Sequence, residues 1–159
     1  MTKSTELENA LALLRQQRWA ALASVDAEGQ PQASMVAYAL APERAELYLH
    51  LSRLAAHTAN LLAKPACSVV ISERDAGQGD PQQLARLSLF GQVAILERGS
   101  DEYIEGRHYY LQRLPDAEPL FDFPDFILFR MRVAQARFVG GFARAYSYSA
   151  DELHRAVAR

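Results

Sequence analysis

Leu47-Tyr48-Leu49-His50-Leu51-Ser52-Arg53-Leu54-Ala55-Ala56-His57-Thr58-Ala59-Asn60-Leu61 changes its period in the middle. Leu47, Leu49 and Leu51 alternate with Tyr48 and His50, which is the two-residue repeat of a strand. From Ser52 onward, Leu54, Thr58, Leu61 and Leu62 recur at helical spacing until Lys64-Pro65 stops the pattern. A strand therefore runs straight into a helix, with Ser52 placed as the cap. The backbone N–H groups of Leu54 and Ala55 would then point out beside the Ser52 hydroxyl. Together with the positive end of the helix dipole they would form an anion cradle. Arg53, His57 and Thr58 add further donors in the first turn and a half. A plain cap surrounded by solvated polar residues fits the same spacing.

Working outward, the flanks read mainly as strands. Trp19–Val25 and Gln32–Leu40 enclose the polar turn Asp26-Ala27-Glu28-Gly29-Gln30-Pro31, a hairpin signal. Ala66–Ser72 forms another strand, and Asp75–Gln83 is a polar loop. Leu84–Leu96 alternates well but is interrupted by Gly91, which predicts a bulge or a close approach by another group. Phe126–Val133 and Arg137–Val139 read as two more strands. Helices are expected over Thr5–Gln17, over Ser100–Arg113 with Asp101 and Glu102 opposing the dipole, and over Asp151–Ala158 capped by Ser149 or Asp151. The loop between Asp116 and Asp125 carries Phe121 and Phe123 and should pack over the barrel, with a gate as the alternative. About six strands at hairpin spacing predict a mainly β (α+β) fold, a six-stranded antiparallel barrel with flanking helices. No linker or repeat divides residues 1–159, so one domain is expected, with residues 1–17 as its N-terminal helix and 150–159 as its C-terminal helix.

Composition narrows the function. With 17 Lys+Arg against 19 Asp+Glu the formal charge is −2, which argues against a nucleic-acid binder. The one cysteine, Cys67, excludes an intramolecular disulfide framework and a clustered thiolate zinc site, and its apolar surroundings predict a buried, inert thiol. No run of 18 apolar residues and no signal-peptide core occurs, so no membrane partner and a cytoplasmic location are expected. The four histidines, His50, His57, His108 and His154, lack the spacing of a zinc site.

Three stretches carry a resemblance. Gln32-Ala33-Ser34-Met35-Val36-Ala37-Tyr38, then Leu51-Ser52-Arg53-Leu54-Ala55-Ala56-His57-Thr58-Ala59-Asn60-Leu61, then Ala85-Arg86-Leu87-Ser88-Leu89-Phe90-Gly91-Gln92-Val93 resemble the FMN-binding split barrel of pyridoxamine 5'-phosphate oxidase-like proteins. Together with Phe138-Val139-Gly140-Gly141-Phe142-Ala143-Arg144-Ala145, they resemble more narrowly the branch that includes haem-utilisation proteins. The resemblance implies a homodimer with FMN at its interface and a small-molecule redox substrate. It places Ser34 and, more weakly, His57 at the phosphate, where the anion cradle read from the spacing adds Ser52 and Thr58. It places His50 and Leu51 at the flavin and ribityl chain, and Arg86, with Gln92 as a lesser candidate, on the neighbouring strand. Where the oxidases have basic phosphate ligands this chain has Ser34 and Ala56-His57, and their C-terminal basic motif is absent. Pyridoxamine phosphate is thus not the expected substrate. Two alternatives stay open. One is a haem-binding or haem-degrading protein, for which the branch implies an axial histidine in the C-terminal tail, where His154 stands. The other is a dimer without a cofactor.

Overall fold

The computed structural model describes residues 2–159. In chain order the elements are α1 (Lys3–Gln16), β1 (Trp19–Val25), β2 (Pro31–Ala37), β3 (Ala39–Leu40), β4 (Glu46–Ser52), α2 (Ala56–Ala63), β5 (Ala66–Ser72), β6 (Arg86–Ile95), α3 (Asp101–Arg113), β7 (Phe126–Val139), β8 (Ala145–Ser149) and α4 (Ala150–Val157). Short 3-10 segments cover Pro81–Gln83 and Pro115–Asp122. All pairings are antiparallel, in the order β2-β1-β5-β6-β7-β4-β3, with β8 also on β7. This curled sheet with its flanking helices is a split barrel of the pyridoxamine 5'-phosphate oxidase-like type.

The described residues form eight strands where about six were expected, and three local features set the count. The run Gln32–Leu40 breaks at Tyr38, whose N–H donates to the Arg18 carbonyl and whose hydroxyl donates to the Leu14 carbonyl. Tyr38 is thus tied to α1 and its link, so β2 pairs with β1 while β3 pairs with β4. Phe126–Val139 is one continuous strand, since its irregularity is absorbed as a bulge opposite Phe90/Gly91. Ala145–Ser149 adds an eighth strand through the Gly140-Gly141 turn.

The barrel core is filled from alternate strand positions, among them Leu22, Leu47, Leu49, Val69, Ile71, Leu87, Leu89, Phe129 and Phe138. Helix α1 inserts Ala10, Leu11, Leu13 and Leu14, and α4 inserts Leu153 and Val157. A second cluster lies on the other face of β3, β4 and β7, where Tyr48 and Leu128 meet Tyr103, Tyr110 and Phe121. Ion pairs hold α3 to that half of the sheet. Glu46, nearly buried, sits within 4 Å of Arg44, Arg130 and Arg132, while Arg44 and Arg130 reach Glu105 and Glu102 at 2.7 and 2.8 Å.

Helix signals read from the sequence are largely met. Ser100 caps α3 by accepting from the Tyr103 N–H, and Ser149 caps α4 in a reciprocal pair with Glu152. At α2 the expectation fails. The helix starts at Ala56, its cap residue Ala55 makes no side-chain bond, and Ser52 ends β4 instead. No helix among the described residues is long and apolar enough to cross a membrane.

Candidate functional site

Strand parity divides the residues singled out at the end of β4. Leu51 points into the barrel core, whereas His50 and Ser52 share the face covered by α3 and the 115–125 segment. The Ser52 hydroxyl donates to the Asp125 carboxylate at 3.0 Å and accepts from the Leu54 N–H at 3.2 Å. The Arg53 N–H donates to the Asp125 carbonyl at 2.7 Å, and the Ala55 N–H to the Ser52 carbonyl. Every amide expected to be free in the anion cradle is therefore satisfied by the chain's own acceptors. Beside them Asp125, which accepts from the Ser52 hydroxyl and the Arg53 N–H, carries a carboxylate, which repels a phosphate.

The other predicted positions are dispersed. Thr58 is fully buried and its hydroxyl has no partner, so it faces inward. His57, half-buried on α2, has its imidazole pKa lowered by burial. Ser34 is half-buried on β2 opposite Leu22. The Arg86 guanidinium donates to the carbonyls of Gln82 and Leu84 and so braces the turn before β6. Gln92 is exposed just past the Gly91 bulge, paired with Arg132. His50 is enclosed by aromatic rings, and His108 meets Gln112 at 3.1 Å. On α4, His154 is exposed. Cys67 is half-buried, with its thiol pushed up to about 11 by burial. No group of three His, Cys, Asp or Glu among the described residues could hold a metal ion.

A broad surface escaped the sequence reading. On β2, β1, β5 and β6 the sheet's outer face is bare, and it is apolar. The register lines up Met35, Ala21, Val70 and Ser88 in one row, and Ala33, Ala23, Ser68 and Phe90 in the next. Trp19 is 55% exposed, Met35 49%, Phe90 42% and Val70 38%. Arg137 closes the first row opposite Ser88. The signal was present in Val69-Val70-Ile71 and Leu89-Phe90, since strands apolar at both parities belong to sheets covered on both faces.

Haem is a flat apolar macrocycle with two carboxylates and an iron that takes an imidazole. Its requirements are met here, but at separate places. The bare face offers an apolar platform with Arg137 and Arg132 along its margin. Among the imidazoles, His50 is enclosed and His154 stands open to solvent. His154 rides on a helix that packs against the opposite, concave side of the sheet. The apolar platform and the open imidazole therefore lie on opposite sides of the sheet.

Comparison with known proteins agrees with this chemistry. The chain is 32% identical over 134 residues to the heme oxygenase HutZ of Vibrio cholerae, covering 83% of this chain and 74% of HutZ. It superposes with a TM-score of 0.86 and 29% identity on a heme binding protein from Mycobacterium smegmatis, spanning 98% of this chain but 62% of that one. A Clostridium acetobutylicum protein of the pyridoxinephosphate oxidase family shares the fold at 14% identity, with a TM-score of 0.67 over 96% of this chain and 99% of that one. These likenesses favour the haem alternative over FMN. The family model described as CREG, beta-barrel matches residues 2–155, and the chain belongs to that family.

Proposed function

We propose that the protein binds haem between two copies, the macrocycle lying against the bare outer face of one copy and His154 of the other copy serving as the iron ligand. The observation that carries the proposal is the 32% identity to a heme oxygenase across 83% of the chain. The apolar face and the open imidazole support it. Bound haem supplies a redox-active iron, and the chain's part is to hold the macrocycle, neutralise its carboxylates and present the imidazole. A second copy laid over the bare face would also remove Trp19, Met35, Val70 and Phe90 from water, which favours association.

Haemin titrated into the purified protein is expected to give a shifted, saturable Soret band with a Kd on the order of micromolar or tighter. His154→Ala is expected to lose the imidazole-type spectrum and to bind at least about tenfold more weakly, about 1.4 kcal/mol. A wild-type protein that leaves the haemin spectrum unchanged would remove the haem reading. A variant spectrum superimposable on the wild type would remove His154 as the ligand.

A further inference from the structure

His50 is 7% exposed, and neither of its ring nitrogens has a hydrogen-bond partner. Its ring stacks on Phe121 with centroids 3.7 Å apart and planes 6° from parallel, and Tyr110 and Phe126 close the sides at 5.8 and 5.0 Å. Phe121 belongs to the 115–125 segment, which crosses the end of β4. Three other ties hold that segment down. Arg98 donates to the carbonyls of Phe121, Phe123 and Phe126, Ser52 donates to Asp125, and the Arg53 N–H donates to the Asp125 carbonyl. A phenyl ring at position 50 would stack equally well without burying two unpaired nitrogens. What the imidazole adds is the ability to take a proton.

We propose that residues 115–125 form an acid-released strap, latched by the neutral ring of His50, whose opening bares Ser52, Asp125 and the Arg53 amide at the end of β4. The groups around the ring offer an imidazolium little support. From the link before α3 comes the positive Arg98, and from α3 come Tyr103, Tyr110 and Arg107. Arg107 lies 5.4 Å over the Phe121 ring and 4.0 Å from Glu118. The strap's own acid, Asp125, is turned to Ser52. On the sheet, Tyr48 and Arg130 flank the position, Arg130 being held by Glu46 and Glu102. Burial first, and then the Arg98 charge, lower the imidazole pKa to about 4. With the strap open, the ring returns to its ordinary value of about 6.5. Closure therefore favours the neutral form. The latch is complete above about pH 6.5 and weakens as pH falls toward 4, so linkage predicts that the open population rises by about fifty-fold between pH 7 and pH 4.5.

The test is hydrogen–deuterium exchange on the haem-free chain at those two pH values, corrected for intrinsic rates. Exchange in residues 115–126 should accelerate by that factor while β5 and β6 stay protected, and His50→Phe should abolish the acceleration. Equal protection of the strap at both pH values, or acid opening undiminished in His50→Phe, would overturn the proposal. Should that variant not fold, the wild-type His50 ring protons decide by NMR. A midpoint near 4 supports the latch and one near 6.5 removes it. Because no haem is present, failure here leaves the haem reading standing.

Discussion

Gly91→Ala is expected to lower the unfolding free energy by about 3 kcal/mol or more, the upper end of overpacking costs, because the atoms it meets are backbone that cannot move aside. A Cβ at Gly91 would lie 1.9 Å from the Arg132 carbonyl oxygen, 2.9 Å from its carbon and 3.2 Å from the Val133 Cα. All three are backbone atoms of β7, paired with β6 on one side and β4 on the other. Relief would require reopening the ladder at the bulge. Gln92 and Arg132 flank that point, so the same change displaces the margin of the bare face. Urea denaturation of the variant measures the loss. A change within about 1 kcal/mol would mean that the two strands do not approach as closely as described.

A comparable loss is expected for Arg144→Ala. Glu6 is fully buried on α1, where its carboxylate accepts from Arg144 Nη1 at 3.2 Å and from Asn9 Nδ2 at 3.2 Å. Arg144 ends the β7–β8 turn, which places Gly141 at φ 124° and Ala143 at φ 59°, and its other nitrogen donates to the Gly140 carbonyl. Truncating it leaves a buried carboxylate facing one neutral amide. Stranding a buried charge costs about 3–5 kcal/mol, whereas replacing both partners by apolar side chains is often close to neutral. Thermal or urea unfolding of Arg144→Ala and of the Glu6→Met/Arg144→Met pair separates these terms. If the double variant falls as far as the single one, packing of the turn and not charge pairing sets the cost.

The sequence made some of this legible and hid the rest for physical reasons. Local signals survived folding. The period change at Ser52, the caps at Ser100 and Ser149, and the break at Gly91 are all written within a few residues of where they act. Readings that depended on distant partners did not. Ser52 has the right neighbours for a helix cap, but Asp125, 73 residues away, takes its hydroxyl, and α2 starts at Ala56 instead. Thr58 stands at a plausible phosphate position by spacing, yet the helix turns it inward. Tyr38 divides one apparent strand into two because α1 and its link supply the acceptors for its N–H and hydroxyl. Each strand of the bare face, taken alone, has apolar residues at both parities. Only the register shows that Met35, Val70 and Phe90 share the side away from α1 and α4.

In the proposed haem site the bare face of one copy supplies the platform and a second copy supplies the imidazole, so haem binding and association stand or fall together. The most direct measurement is the native mass of the haemin-loaded protein beside that of Phe90→Glu, which sets a charge in the middle of the proposed contact. The wild type is expected to carry haem as a dimer and the variant to be a haem-free monomer. Haem riding on single chains, or a variant that still forms a haem-loaded dimer, would contradict it.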